Sequence, residues 1–400
     1  MVSAQLQVAV DVGSQRHRVA VGDVAGELLE EFDVEHTAAG LAGFFTRIEH
    51  WEARCGWPVA VAMEGYNGWA RPLDRQVLLR GWRLFNVNNL KLARYKEIFA
   101  APAKNDAIDT RRMLELFRLR GQLRVAREVL QEVAPVALEN DKLKRITRRR
   151  RQLVGEKGRM LNRLQADLQA VCPGLLSITG EADNLWFLSL LSCREDLRKI
   201  AGLRRSTLLS LAGVGSKYAS VIQAWQQEAV FSEEAPWVGP MIVADAGRIL
   251  ALKREIKTLD ETVEQLVQDS GLARRIDTIP GFGPTCSGEL AGEIGTLERF
   301  RGEASLAVYL GMATLDDSSG KQRGSKPPRQ VNTRAKAAMM IAAMRHIEQV
   351  AASRAYYDKK RAQGKNHNQA VRCLGRQLVR VIWSMLKHGR DYELRAPAVA

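Results

Sequence analysis

Cysteine is scarce and never clustered. The five cysteines, Cys55, Cys172, Cys193, Cys286 and Cys373, are odd in number, far apart and without a Cys-x-x-Cys pair. That argues against a disulfide framework and a zinc site and for a reducing compartment. The six histidines show no metal-ligand spacing either. No stretch approaches the roughly 18 uninterrupted apolar residues of a spanning helix, so no membrane partner is expected. Met1 to Ala9 lacks a charged n-region and a cleavage site, which argues against a secretory signal. Acidic residues are also in deficit: 60 Lys and Arg face 45 Asp and Glu, leaving +15. With 46% hydrophobic and 26% charged residues the chain is otherwise an ordinary globular protein, long enough for two or three domains. The excess positive charge favours a polyanion, because each phosphate contact releases condensed counterions.

What is present begins as α/β. Val8–Gly13, His17–Gly22 and Gly26–Val34 read as three strands, with turn residues between the last two. A helix is expected over Ala39–Arg54, a fourth strand over Pro58–Glu64 and a fifth over Trp82–Val87. A hairpin meander followed by strand–helix alternation predicts a mixed sheet with helices on its faces. From Asn105 the apolar spacing turns helical. Helices are expected over Asp106–Val133, Leu138–Val171 and Met241–Val267. The last carries Ile249, Leu252, Ile256, Leu259, Val263 and Leu266, a heptad pattern that predicts a coiled-coil spacer and an interface between copies. Leu211–Ala219 and Ile279–Ser287 both read apolar-x-Gly-apolar-Gly before a helical pattern. Such turns either aim backbone N–H groups at a phosphate or pack helices closely.

Four acids stand where chemistry is expected. Asp11 and Glu64 each close an apolar strand, and Asp106 and Asp109 share the first turn of a helix. Together they could hold two Mg²⁺ about 4 Å apart for phosphoryl transfer; the bland alternative is a helix cap and solvated strand ends. Lys104 adds phosphate-binding capacity. A second signal is Tyr309–Gly320, an apolar stretch ending in a Ser-Ser-Gly loop, after which Lys321, Arg323 and further basic residues follow with no acid from Ser318 through Ile347. A serine there could attack a phosphodiester, with arginines stabilising the transition state. Composition alone favours a plain surface loop. Lys142–Arg151 holds seven basic residues in ten, and Arg148, Arg149, Arg150 and Arg151 are expected to touch phosphates. Arg372–Arg390 reads as an amphipathic helix packed on a core.

These residues carry a resemblance. Val8–Ser14, Met63–Tyr66 and Lys104–Asp109, then Thr278–Gly283, Arg299-Phe300, Tyr309–Gly311 and Ser318–Lys321, fall in the order and spacing of the DEDD-type insertion-sequence transposases of the one-ten/eleven-eleven group, also called bridge recombinases. The resemblance spans nearly the whole chain. It departs where the family has a Gly-rich stretch and a Gly-Asn turn after the serine; here Gly324–Arg334 carries a Pro pair. It implies a RuvC-like RNase H domain over 1–125, a helical coiled-coil spacer over 126–272 and an all-α transposase domain over 273–392, within which the Ile279–Ser287 turn by itself resembles a helix-hairpin-helix element. It implies that Asp11, Glu64, Asp106 and Asp109 bind Mg²⁺, or Mn²⁺ in its place, and that Ser319 is the nucleophile, with Ser318 the fallback. It implies donor and target duplex DNA and a structured guide RNA as partners. Strand exchange needs at least two cleavage centres, so a homo-oligomer, dimer or tetramer, is expected in a bacterial cytoplasm. The competing readings are a purely hydrolytic, junction-resolvase-like nuclease that needs the acids but not the serine, and a binding scaffold that needs neither.

Overall fold

The computed structural model describes residues 5–64, 69–88, 91–93, 106–120, 122–123, 126, 129–319, 324–328 and 331–394. The chain divides into two compact units, Met1–Pro135 and Val136–Ala400.

The first unit holds β1 (Leu6–Val12), β2 (Arg16–Gly22), β3 (Leu28–Glu35), α1 (Ala38–Cys55), β4 (Val59–Met63), α2 (Arg71–Leu79), β5 (Arg83–Val87), α3 (Asp106–Arg120) and β6 (Leu130–Glu132). The six strands form one mixed sheet in the order β3-β2-β1-β4-β5-β6. β1 pairs antiparallel with β2 and parallel with β4. Successive side chains of a strand face opposite sides, and here the two sides differ in size. Val8, Val10, Val19, Val21, Val59 and Val61 form one face and pack with Phe44 and Ile48 of α1 and Leu73 and Val77 of α2. Ala9, Ala20, Ala60 and Ala62 form the other and pack with Met113, Leu114 and Phe117 of α3. Alanines are short, so α3 can lie close against the sheet. At the end of β1 the chain reverses so tightly that a Cβ on Gly13 would stand 2.2 Å from the Arg16 carbonyl oxygen.

The helix expected over 106–133 is shorter in fact. α3 ends at Arg120, and residues 130–132 form a sixth strand antiparallel to β5. Three residues are too few to show alternation. Their partners hold them, including the paired bonds from Arg83 Nε and Nη2 to Glu132 at 2.8 and 3.0 Å.

Among its described residues the second unit is helical apart from one short hairpin. It holds α4 (Leu138–Val171), α5 (Leu185–Leu191), α6 (Arg205–Leu209), α7 (Ser216–Gln227), α8 (Ala235–Asp269), α9 (Gly271–Asp277), α10 (Gly283–Ile294), α11 (Glu303–Tyr309), β7 (Leu315–Asp316), β8 (Ser325–Lys326), α12 (Thr333–Gln349), α13 (Ala351–Ala362) and α14 (His367–His388). α8 begins before the expected Met241 and accommodates Pro240. It runs antiparallel to α4, with Arg163 bonded to Asp245 at one end and Arg150 to Asp260 nearer the other. Along the heptad pattern, Ile249 joins the core of Leu164 and Leu168, and Val263 and Leu266 join Leu143. The seam therefore has a partner within the same chain. The glycine turn at 279–283 is pressed onto α12. Gly281 has φ +84°, and a Cβ there would meet His346 N at 2.5 Å and the Arg345 carbonyl carbon at 2.7 Å. Close helix packing accounts for that glycine.

Candidate catalytic residues and nucleic-acid interface

Parallel register brings the first two acids together. Val10 lies opposite Met63, and Glu64 N donates to Val10 O at 3.3 Å. Asp11 and Glu64 are thus next neighbours at the ends of adjacent strands. Continuing the pleat puts both on the alanine face, the one α3 covers. Asp109 is buried on α3, one turn before Met113, which packs on that same face. Asp106 opens α3; its side chain lies outside the described residues, as does Lys104. Among the described residues no group of three or more His, Cys, Asp or Glu stands ready to hold a metal ion. Carboxylates on one face nevertheless have the hard-oxygen chemistry that Mg²⁺ takes. Beside them is a residue the sequence did not single out. Arg18, the cross-strand neighbour of Asp11, bonds Glu31 at 3.0 Å and Asp33 at 3.1 Å. Glu31 also takes Arg111 of α3 at 2.6 and 2.9 Å.

In the second unit Ser318 and Ser319 are exposed on the β7–β8 hairpin. Lys326 Nζ holds Asp317 at 2.7 Å, and Asp317 N donates to Gly324 O at 2.9 Å. Lys321 and Arg323 lie outside the described residues. The ends of the loop are tied together: Asn332 N donates to Tyr309 O at 2.9 Å, and Asn332 Nδ2 donates to the Tyr309 hydroxyl at 2.7 Å. Asn332 Oδ1 also caps α12, accepting from Arg334 N and Ala335 N.

Comparison with known proteins decides the family. Residues 8–173 match the DEDD-type IS110 family described as a transposase, and residues 273–358 match the transposase family IS116/IS110/IS902. The chain belongs to the IS110 family of transposases. It is 27% identical to the insertion element IS116 44.8 kDa protein of Streptomyces clavuligerus, over 98% of this chain and 97% of the relative. The insertion element IS110 43.6 kDa protein of Streptomyces coelicolor is 27% identical over 80% and 79%, and the insertion element IS900 42 kDa protein of Mycobacterium paratuberculosis 26% over 97% and 96%. Among the described residues of the transposase no helix is long and apolar enough to cross a membrane.

The arginine run of the transposase is committed to carboxylates. Arg148 makes two bonds to Glu293 at 2.7 and 2.9 Å, and Arg151 two to Glu289 at 2.6 Å each. Arg149 bonds Glu255 at 2.9 Å, and Arg150 is paired with Asp260. As arranged, the run fastens α4 to α8 and α10, and a phosphate would have to displace a carboxylate at each position. Glu293 is the centre of this network, with a side chain 0% exposed. Burial alone would raise its pKa, but hydrogen bonds from Arg148 and Asn332 and the charges of Arg148 and Lys144 outweigh that and hold it below the usual range. Lys144, alongside, is pushed down to about 8, first by burial and then by Arg148. Glu289 and Glu293 escaped sequence reasoning. Their signal was there: two acids four apart on a helix of otherwise small and apolar residues, matching two arginines three apart on another.

Proposed function

We propose that this transposase cuts and rejoins DNA through a covalent Ser319 intermediate, assisted by Mg²⁺, or Mn²⁺, held by Asp11, Glu64, Asp106 and Asp109. The observation that supports it most is the in-register pairing that makes Asp11 and Glu64 neighbours on the face covered by the helix of Asp109. Ser319 supplies the second half, as an exposed hydroxyl in a loop whose two ends are tied. A hydroxyl is a weak nucleophile at its free pKa and needs activation. Bound metal would supply it, lowering the cost of the alkoxide and stabilising the leaving oxygen. We assign the sheet unit, through Pro135 rather than the expected 125, to metal binding, the helices from there to 272 to the spacer and 273–392 to the serine domain. A structured RNA from the element's ends selects donor and target duplexes, and the protein acts as a homo-oligomer, dimer or tetramer.

The test is incubation of the full-length protein with Mg²⁺, guide RNA and end-labelled donor and target DNA, followed by denaturing gels for a protein–DNA adduct. Ser319→Ala is expected to remove adduct and recombination while DNA and RNA binding persist. Asp11→Asn is expected to do the same through loss of metal. Adduct of wild-type yield from Ser319→Ala would overturn the assignment and move it to Ser318. Cleavage without any adduct would leave a hydrolytic nuclease.

A further inference from the structure

Between Lys359 and Arg390 the chain carries nine lysines and arginines and no carboxylate. Three of them, Arg372, Arg376 and Arg380, are spaced i, i+4, i+8 on α14, and Lys387 continues the same side of the helix. α14 is otherwise a core helix: Val371, Leu374, Leu378, Ile382 and Met385 are buried, and the arginines run along one edge of that face.

Among the described residues the surroundings offer this row a carboxylate at its middle position alone. Arg376 is held by Glu303, with Nη2 bonded to Oε2 at 3.1 Å. Among the described residues Arg380 bonds only the neutral Gln377, at 3.2 Å. Arg372 Nε is buried and, among the described residues, has no hydrogen-bond partner. A buried donor without a partner costs about 1–3 kcal/mol, more when charged, so this cation is uncompensated where it stands. Burial and then the charge of Arg380 both disfavour the Arg376 cation, so an anion gains there.

The row also has a place. Gly375, between Arg372 and Arg376, lies so close to Met312 that a Cβ would stand 2.4 Å from its Sδ. Met312 precedes the β7–β8 hairpin that carries Ser319. The arginines therefore flank the root of the serine loop. Steps of four residues advance about 6 Å along a helix, roughly two phosphates at 3.4 Å per strand.

We propose that Arg372, Arg376, Arg380 and Lys387 form a ledge that binds the phosphates of the duplex DNA strand leading to the serine hairpin. This rests on Ser319 as the reacting residue for its meaning, while the binding itself is measured without the serine. In full-length Ser319→Ala protein, anisotropy of a fluorescein-labelled duplex of the element's end is followed against salt. Adding Arg372→Gln and Arg380→Gln is expected to flatten the slope of log K against log[salt] by about 1.8, at about 0.9 per lost contact. Adding Arg149→Gln and Arg150→Gln instead is expected to leave it unchanged. Should Arg372→Gln impair folding, seen as a lowered Tm, the exposed pair Arg380→Gln and Lys387→Gln is expected to give the same loss of slope. An unchanged slope with either ledge pair overturns the proposal. So does a loss confined to the guide RNA, which would make the ledge an RNA site. Adduct formation without Ser319 alongside a flattened slope would sink the serine assignment and leave the ledge standing.

Discussion

Two arginine-rich helices of the second unit have opposite fates. On α4, four consecutive arginines meet Glu293, Glu255, Asp260 and Glu289, one carboxylate each. On α14, among the described residues, Arg372 and Arg380 meet none, and only Arg376 has Glu303. The denser run is the more neutral one. What separates them is the composition of the neighbouring helix: α10 and α8 present acids to α4, while α14 packs on apolar residues of α11 and α12 and on Met312. Local charge density in a sequence says little about surface potential until the packing partner is known.

The comparison can be broken at its strongest point. Glu293→Ala would leave Arg148 half-buried and unpaired and would free Asn332 Nδ2 from its bond at 2.6 Å. Losing one partner of a buried pair costs about 3–5 kcal/mol. Urea unfolding should show a loss of that order, and a loss below about 1 kcal/mol would mean the α4 run is no clamp.

A smaller effect is expected from Lys144, whose pKa falls from 10.5 to about 8. The unfolded chain then binds the proton that the folded chain has lost between those two values, so stability rises with pH from about 8 to 10.5. The gain is at most about 3 kcal/mol, reckoned at 1.36 kcal/mol per unit. Lys144→Met should be more stable than the parent at pH 7 and should lack that rise. A parallel pH dependence of the two proteins would place the Lys144 amine in water.

The smallest effect belongs to the exposed end of the clamp. Arg149 and Glu255 are both about half exposed, and such pairs contribute roughly 0–1 kcal/mol. Arg149→Ala should shift urea midpoints very little and leave the salt dependence of DNA binding unchanged. A flattened slope would show that this arginine leaves its carboxylate for a phosphate.

Much of this was legible before any coordinates. The valine and alanine alternation of β1, β2 and β4 marks a sheet covered on both faces, and the acids closing β1 and β4 are visible because each ends an apolar run. β6 was not legible, since three residues held by pairing with β5 carry no period of their own. The heptad of α8 was legible as a seam, but a seam does not state whose helix it meets. Glu289 and Glu293 left only a spacing as their signal, and the role of Asn332 left none, because each depends on a residue far away in sequence. The α14 row was hidden by its own helix, whose strong apolar face reads as core packing and draws notice from its polar edge.

The tie between Asn332 and Tyr309 bears on how the serine loop can vary. With both ends fixed to one point, the entropy of closing the loop depends only weakly on its length. Doubling the number of residues costs about 0.6 kcal/mol. The segment after the serine is thus free to trade glycines for the Pro327-Pro328 pair, or to lengthen, without disturbing α11 or α12. Relatives can diverge in that stretch at little thermodynamic expense while the helices beneath it stay the same.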